Sequence, residues 1–469
     1  MRRTWILMAA CSITLSAVEA FACTGLLVGK KASVDGSVMI SYAADSHTLY
    51  GELYRWPAAT WPKGEMLDII EWDTHKPLGQ IPQVEQTYSV VGNMNEHQVA
   101  ITESTFGGRS ELVDTTGIMD YGSLIYVTLQ RSKTAREAIR IMTDLVKDYG
   151  YYSSGETFSI ADKNEAWVME MIGKGPGNKG AVWVAIRIPD DCISAHANQS
   201  RIQQIPFDDK ENCIYSPDVV SFAREKGYFS GKDKDFSFQK AYCPYDFSAL
   251  RGCEARVWSF FRKYDKSMDQ YTDLIKGDVT KKPMPLYVKP NRLLSVQDVQ
   301  NGMRDHFEGT DLDMTKDAGA GPYKVPYRWR PMTFEVDGQE YTNERAIATQ
   351  QTGFVIVPQM RNWLPDAVGG ILWFGVDDAD MAVFTPIYCS VTASPECYRV
   401  GNGDMMNFSW TSAFWIHNWV ANMAYGKYNY MIQDIRSVQQ ELENGYQQTI
   451  PAIDKAASEL YAKLSLIHI

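Results

Sequence analysis

The sequence has little positive charge, few histidines and, beyond residue 22, no long hydrophobic run. It carries 46 lysines and arginines against 57 acidic residues, and this formal net charge of −11, without any basic block, argues against a nucleic-acid partner. No segment after residue 22 reaches the roughly 18 uninterrupted apolar residues of a membrane span, so stable membrane insertion is not expected. Apolar residues at 45% and charged residues at 22% are instead typical of a globular protein.

Sequence motifs for metals and nucleotides are also missing. The 7 histidines are scattered, without an HExxH pair or the cysteine and histidine spacing of a zinc site. The glycine-containing turns at 107–109 and 319–322 do not form a phosphate-binding fingerprint. The sequence therefore predicts neither a metal nor a cofactor. It leaves the oligomeric state open, with a homo-oligomer among the alternatives.

The first 22 residues have the pattern of a signal peptide. Two arginines follow the first methionine, residues 5–18 are largely apolar, and residues 20–22 (Ala-Phe-Ala) form the small-x-small pattern that signal peptidase prefers. Cleavage after this pattern makes Cys23 the first residue of an exported protein, which we expect to be periplasmic or secreted.

Eight cysteines fit an oxidising compartment. One lies in the signal segment, and setting Cys23 aside leaves six, an even set that permits three disulfides. Pairing sequence neighbours predicts three bonds that close short loops: Cys192–Cys213, Cys243–Cys253 and Cys389–Cys397. Cys23 is then the odd thiol, and a leftover thiol in a secreted protein is either reactive or modified.

Short apolar strands separated by tight turns indicate antiparallel sheets. Three sets of such strands are predicted, at 25–31 with 37–42, at 88–92 with 99–103, and at 157–162 with 166–172 and 181–188. Apolar residues at helical spacing from Ala135 to Val146 predict a helix between the second and third sets. Thr134 and Glu137 have the spacing of a capping box at its start.

These patterns predict one α/β unit with antiparallel sheets over residues 23–408. A largely helical C-terminal extension over 409–469 is expected to follow it, with interruptions near Gly445 and Pro451. The ending "YAKLSLIHI" breaks off within a helical pattern, which indicates a truncation or a cloning scar.

A cysteine at a mature N-terminus carries a thiol and a free α-amine on one residue. The amine has an ordinary pKa of about 7.7–8.0, so near neutrality part of it is free base and can take the thiol proton. The apolar strand that directly follows Cys23 would present this pair at a cleft. Two other interpretations stay open, a lipidated cysteine and a disulfide partner, although Ala20 stands where a lipoprotein signal normally has leucine.

Three ordered motifs resemble the secreted cysteine dipeptidases of family C69, relatives of the choloylglycine and penicillin V acylases. They are "CTGLLVGKKASVDGS" from Cys23, "GNMNEHQVAITESTFGGR" from Gly92 and "SAHANQSRI" from Ser194. The resemblance implies an N-terminal nucleophile hydrolase with Cys23 as nucleophile. It also implies an αββα sandwich, in which two antiparallel sheets are covered by helices.

The resemblance implies roles for further residues. Relatives usually place an arginine and an aspartate on the second strand; here Asp45 would orient the Cys23 amine, whereas Tyr42 stands at the arginine position. Asn198 matches the asparagine that holds substrate and assists the oxyanion. Arg345 is the candidate for a later arginine of the superfamily, with a surface salt bridge as the alternative.

Oxyanion and substrate contacts are expected at four more positions. Ser104 or Thr105 falls where relatives place an oxyanion donor, and the backbone N–H of Thr24, next to the nucleophile, is another donor. Asn95 lies in the second hairpin, where turn formation is the alternative to a role in substrate binding.

The sequence therefore predicts hydrolysis of the amide bond of dipeptides or other short peptides through a thioester on Cys23. One alternative is an amidase for N-acyl substrates, such as bile-salt or lactam side-chain amides. Another is a lipid-anchored glycan-binding protein that uses the plentiful aromatics, 13 Trp and 26 Tyr. A dipeptide would require an acidic partner in the cleft for its free ammonium, and a sequence does not show whether one points there.

Overall fold

The computed structural model of the chain describes residues 23–328 and 333–465. The predicted signal peptide and the end of the chain at 466–469 lie outside the described residues. The described residues form 22 strands: β1 (Gly25–Val28), β2 (Val38–Ile40), β3 (Tyr42–Asp45), β4 (Arg55–Trp56), β5 (Ala59–Thr60), β6 (Met66–Ile70), β7 (Pro77–Pro82), β8 (Gln86–Thr87), β9 (Val90–Val91), β10 (Met94–Asn95), β11 (Ala100–Gly107), β12 (Gly155–Ala161), β13 (Ala166–Gly173), β14 (Ala181–Ile188), β15 (Ile193–His196), β16 (Cys213–Tyr215), β17 (Tyr287–Val288), β18 (Thr333–Val336), β19 (Gln339–Thr342), β20 (Thr352–Met360), β21 (Gly370–Val376) and β22 (Thr385–Tyr388).

The α-helices pack on strands that lie both before and after them in the chain. In chain order they are α1 (Tyr121–Leu129), α2 (Ala135–Tyr149), α3 (Ser221–Glu225), α4 (Phe238–Tyr242), α5 (Phe247–Ala249), α6 (Ala255–Tyr264), α7 (Thr272–Ile275), α8 (Val296–Met303), α9 (Asp366–Gly369), α10 (Ala413–Ala424) and α11 (Tyr428–Ser465). Short 3₁₀ turns and one π-helical turn at Leu250–Glu254 connect some of them.

Two sheets of eight strands form the centre of the molecule. The first has the order β17-β15-β1-β2-β20-β21-β22, with β3 also paired to β20, and the second has the order β16-β14-β13-β12-β11-β10-β9-β4. Their ladders are antiparallel. The predicted fold class, mixed α and β with antiparallel sheets, is therefore confirmed.

Strand β1 shows how the layers stack, because successive side chains of a strand point to opposite faces. Leu26 and Val28 belong to an apolar cluster with residues of α6 and α8, whereas Leu27 belongs to a cluster that includes Val168 of the second sheet. A third cluster joins the other face of the second sheet to α1 and α2. The order of layers is thus helices, first sheet, second sheet and helices.

The predicted local elements largely form. Strands β1 and β2 pair around the Asp-Gly turn, and β12, β13 and β14 form the predicted meander. The second hairpin is more complex than predicted, because β10 inserts between β9 and β11. Thr134 caps α2 by accepting from the backbone N–H of Glu137 at 3.2 Å. The Glu137 carboxylate accepts from Lys133 N, so only half of the predicted capping box is present.

The C-terminal segment forms two helices, and the predicted interruptions are wrong. Helix α11 runs through Gly445 and Pro451 without a break. A proline inside a helix costs one backbone hydrogen bond and about 3 kcal/mol. Buried ion pairs lie on both sides of it. Arg304–Glu443 holds the first half of the helix against the end of α8, and Arg361–Asp454 holds the second half against the end of β20. Across the described residues, the helices lack the combination of length and apolar character that a bilayer span requires.

The three predicted disulfides are also wrong, because all seven cysteines in the described residues are free. Cys389 is fully buried beneath Gly370, whereas Cys397 is exposed. The thiols of Cys192 and Cys243 donate separately to Asp191 Oδ1 and to a backbone carbonyl, each at 3.7 Å. An even number of cysteines therefore did not indicate pairing, since the fold gives these thiols separate surroundings.

Candidate active site

Cys23 lies two residues before the start of β1 and lines a cavity of about 760 Å³. The backbone of its neighbour Thr24 pairs with Ala43 of β3, which brings the side chains of Tyr42 and Asp45 to the same cavity. The cysteine is only 4% exposed. The start of the first strand thus positions a buried thiol at a cavity large enough for a small ligand.

A close approach between β1 and β15 fixes this position. A Cβ atom on Gly25 would lie 2.5 Å from Nε2 of His196, so only glycine fits beside the histidine. The ring nitrogens of His196 contact the hydroxyls of Ser104 and Ser159 at 2.6 and 2.7 Å. Burial lowers the pKa of His196 to about 3, so the imidazole is neutral. Ser104, a predicted oxyanion donor, is thus fully buried and holds this histidine.

The thiol of Cys23 has a tyrosine and carboxylates around it. Its sulfur donates to the hydroxyl of Tyr42 at 3.6 Å, and that hydroxyl in turn donates to Glu103 Oε1. Burial raises the pKa of the Cys23 thiol well above its ordinary value, and the charges of Glu103 and Asp45 raise it further. The resting sulfur is therefore a thiol, which requires a base when it attacks.

Glu103 and Glu156 form a buried pair on the adjacent strands β11 and β12. Both are 1% exposed, and their carboxyl groups are close enough to interact directly. Oε2 of each has no hydrogen-bond partner within the described part of the chain. Burial raises the pKa of Glu103 to about 7, and burial together with repulsion from Glu103 raises that of Glu156 well above its usual range. One proton shared between the two groups accounts for this arrangement.

Asp45 and Arg345 form a buried ion pair beside the cavity. Arg345 Nη2 lies 2.7 Å from Asp45 Oδ2, and Thr352 donates to Oδ1 at 2.6 Å. The two side chains are 0% and 10% exposed, so the alternative of a surface salt bridge is wrong. Burial raises the pKa of Asp45, while Arg345 acts in the opposite direction. The structure thus brings both predicted residues next to the nucleophile's strand.

Arg256 is a site residue that the sequence did not reveal. Its guanidinium donates to the carbonyl of Cys23 at 2.9 Å, to Thr24 Oγ1 at 2.8 Å and to Asn198 Oδ1 at 2.9 Å. Burial lowers the pKa of Arg256 to about 10. Arg256 lies on α6, 233 residues from Cys23, and no motif surrounds it. A charged residue within the apolar stretch of α6 is the one signal that could have indicated a buried role.

Asn198 connects this arginine to β11. Its backbone has a φ of +56°, its amide Nδ2 donates to the carbonyl of Thr105 at 2.7 Å, and its N–H donates to Ser104 Oγ at 3.3 Å. Thr105 in turn donates to Glu156 Oε1 at 2.7 Å and lines the cavity. The predicted residues Thr24, Ser104, Thr105 and Asn198 are therefore gathered around Cys23. Their oxyanion roles stay predictions.

Asn95 lies away from this group. Its amide donates to the carbonyls of Leu129 and Ser132, and its carbonyl oxygen accepts from the N–H groups of His97 and Val99. It is fully buried and does not line the cavity. These bonds are those of a residue that forms a turn, which was the alternative to a role of Asn95 in substrate binding.

The cavity is acidic and aromatic. None of its described lining residues is a lysine or arginine. Five carboxylate side chains line it, those of Asp45, Glu52, Glu71, Asp73 and Glu103. One wall carries aromatic rings, with Trp56 stacked on Tyr126 at 5.1 Å and packed near Tyr54. Within the described ranges, no three His, Cys, Asp or Glu side chains are grouped so that they could hold a metal ion.

The chain was compared with protein families and with curated proteins. The family described as Peptidase family C69 matches residues 22–55 and 52–441. A probable dipeptidase of Latilactobacillus sakei is 27% identical over 458 residues, which cover 94% of this chain and 88% of that protein. A probable dipeptidase of Salmonella dublin is 26% identical, covering 79% and 81%, and Dipeptidase A of Lactobacillus helveticus is 24% identical, covering 91% and 85%. Because the family match spans most of the chain, the protein belongs to peptidase family C69.

Proposed function

We propose that the protein is an exported cysteine-type dipeptidase whose nucleophile is Cys23, exposed as the N-terminal residue when residues 1–22 are removed. The observation that carries this proposal is the position of Cys23 at an acidic cavity, at the start of the first sheet strand. The family match and the relatives named as dipeptidases support it. The proposal keeps the N-terminal nucleophile mechanism that the sequence motifs imply.

In this mechanism the Cys23 sulfur attacks the carbonyl carbon of the substrate while the α-amine of Cys23 takes the thiol proton. The carbonyl becomes an oxyanion, and donors near Asn198 and Thr24 stabilise it. The amine then gives its proton to the leaving nitrogen, and the C–N bond breaks to leave a thioester. Water, deprotonated by the same amine, hydrolyses the thioester and restores the thiol. Asp45, neutralised by Arg345, helps to orient the amine.

The cavity favours a substrate with a free ammonium over the N-acyl alternatives. Its five carboxylates attract an ammonium and repel an anion such as a bile-salt conjugate. The glycan-binding alternative has weaker support, since the aromatic rings of Tyr54, Trp56 and Tyr126 pack on one another. The lipid-anchor alternative requires an accessible Cys23, whereas the residue is 4% exposed.

A hydrolysis screen tests this function. Mature protein is assayed with a library of dipeptides and with bile-salt conjugates, in parallel with Cys23→Ala and with Cys397→Ala as the matched control. We expect dipeptide cleavage by the parent and by Cys397→Ala, whose thiol is free and exposed, and none by Cys23→Ala. Normal cleavage by Cys23→Ala would reject the nucleophile, and cleavage of bile-salt conjugates alone would reject the substrate class.

A further inference from the structure

A dipeptide places strict demands on the position of any group that recognises its N-terminus. Its ammonium nitrogen is separated by only two bonds from the carbonyl carbon that the nucleophile attacks. A sulfur in a reactive position lies roughly 3–3.5 Å from that carbon. A carboxylate that binds the ammonium must therefore lie beside the sulfur of Cys23 rather than at the rim of the cavity.

Two carboxylates of the described residues act directly on the Cys23 thiol, those of Asp45 and Glu103. Asp45 is already neutralised, because Arg345 lies 2.7 Å from one oxygen and Thr352 donates to the other. Glu103 also lines the cavity, and the groups that donate to it, the hydroxyl of Tyr42 and the thiol of Cys23, carry no charge. Glu103 is thus the carboxylate next to the nucleophile that can take a cation.

The pairing of Glu103 with Glu156 strengthens this assignment. One proton between the two groups satisfies their Oε2 atoms, which have no other partner among the described residues, and leaves one buried negative charge. No lysine, arginine or histidine in the described ranges forms an ion pair with either side chain. Buried charges in proteins are normally paired, so this arrangement lacks a cation.

Other side chains around Glu103 are acidic or neutral. Those that face it are Tyr42 of β3, Cys23 ahead of β1, Glu156 of β12, Asp73 after β6, Tyr121 of α1 and Tyr151 ahead of β12. Tyr121 donates to Asp73 Oδ1 at 3.0 Å, and the charge of Asp73 acts on both Glu103 and Glu156. This second carboxylate adds negative potential from the cavity side.

We propose that Glu103, supported by Asp73, binds the α-ammonium of the substrate, so that the site accepts peptides with a free N-terminal amine and discriminates against N-acylated ones. This inference rests on the proposed function and adds the subsite that selects its substrates. The N-terminal residue of the dipeptide becomes the acyl part of the thioester on Cys23, and the C-terminal residue leaves.

Binding of the substrate ammonium at this subsite is coupled to the release of a proton. Because burial raises the pKa of Glu103 to about 7, the pair holds an extra proton below that pH. A bound ammonium favours the charged carboxylate, so binding releases this proton. Affinity should rise as the pH increases through about 7. It should fall again where the amine of the peptide itself loses its proton, at about pH 7.7–8.0.

The first test is kinetic. A dipeptide and its N-acetylated form are assayed with the parent, with Glu103→Gln and with Glu459→Gln, which removes the same charge from an exposed position on α11 outside the cavity. Loss of a hydrogen bond to a charged group weakens binding by about 10- to 100-fold. We expect Glu103→Gln to lose this factor in kcat/KM for the free dipeptide, mainly through KM, and to change the N-acetyl reaction less than about threefold.

Three kinetic results would overturn the subsite: equal cleavage of both substrates by the parent, equal loss for both substrates in Glu103→Gln, or an equal effect of Glu459→Gln. The glutamine keeps an acceptor for Tyr42 and can donate to Glu156, so the variant should fold. Its melting temperature checks this point.

The second test measures binding without turnover. Calorimetry of the Cys23→Ala protein with a dipeptide, at pH 6.5 in buffers of different ionisation enthalpy, should show release of up to one proton, and the Cys23→Ala/Glu103→Gln protein should show none. If the Cys23→Ala protein, which keeps its own α-amine, binds the dipeptide without releasing a proton, the proposed subsite is overturned. If the parent cleaves no dipeptide but this release is observed, the dipeptidase proposal fails and the ammonium subsite stands.

Discussion

The hydroxyl of Tyr42 lies 3.6 Å from the sulfur of Cys23. The resemblance to N-terminal nucleophile hydrolases would place an arginine here, whose charge stabilises a thiolate. A neutral hydroxyl cannot do so by charge, and the neighbouring carboxylates raise the thiol pKa further. The nucleophile is thus expected to lose its proton during attack rather than beforehand.

Replacement of Tyr42 tests this relationship. When the thiol ionises, the hydroxyl of Tyr42 can turn from Glu103 and donate to the sulfur, which lowers the pKa of the Cys23 thiol. In Tyr42→Phe that pKa should therefore move further upward. A neutral hydrogen bond contributes about 0.5–1.5 kcal/mol, and alkylation of Cys23 by iodoacetamide at neutral pH should slow by about two- to tenfold. Mass spectrometry of the Cys23 peptide measures the rate. Tyr54→Phe, in the same cavity, is the control, and an equal effect in both variants would contradict the role of Tyr42.

The free N-terminus of Cys23 provides a second prediction. If the α-amine is the base, a protein that keeps one residue before Cys23 should fold but should not turn over, because an amide nitrogen cannot take the thiol proton. The measurement is dipeptide hydrolysis before and after removal of the extra residue, with intact mass confirming each form. Full activity of the extended form would exclude the amine from the mechanism.

Local patterns accounted for most of the sheet structure. The alternating strands at 157–188 became β12 to β14, and the helical spacing after Thr134 became α2, because each is specified by neighbouring residues. The continuation of α11 through Pro451 could not be predicted in this way. It depends on Arg361, which is 93 residues away from its partner Asp454.

In the site, too, residues within local motifs could be predicted and residues brought together from distant parts of the chain could not. Cys23 and Asp45 could be found because motifs surround them. Arg256 and Glu156 could not, since a sequence does not show that an arginine of α6 reaches the carbonyl of Cys23 or that Glu156 lies diagonally beside Glu103 on the adjacent strand. The acidity of the cavity was equally hidden, because Glu52 and the Glu71–Asp73 loop are separate in the sequence and meet only in the folded chain.

Asp45 and Arg345 should have opposite effects on the pH dependence of turnover. An anion near an ammonium raises the ammonium's pKa, and a cation lowers it. Asp45→Asn removes the anion and leaves Arg345, so the acidic limb of kcat/KM should move to lower pH. Arg345→Gln leaves Asp45 alone, so the limb should move to higher pH. A pH series for both variants checks this, and an unmoved limb in both would show that the pair does not act on the Cys23 amine.

Asn198 combines an amide near the nucleophile with a backbone that few residues adopt. Its φ of +56° suits asparagine or glycine, whereas alanine there costs roughly 1–2 kcal/mol. If the amide stabilises the oxyanion, Asn198→Ala and Asn198→Gly should both lose about 10²–10³ in kcat with a smaller change in KM. Both variants also lose the bonds to Thr105 and Arg256, so the difference between their melting temperatures isolates the backbone strain. Steady-state kinetics and thermal unfolding of the two variants separate the oxyanion role from the backbone role. A kcat of Asn198→Gly close to that of the parent would show that the asparagine has only a backbone role and that other donors stabilise the oxyanion.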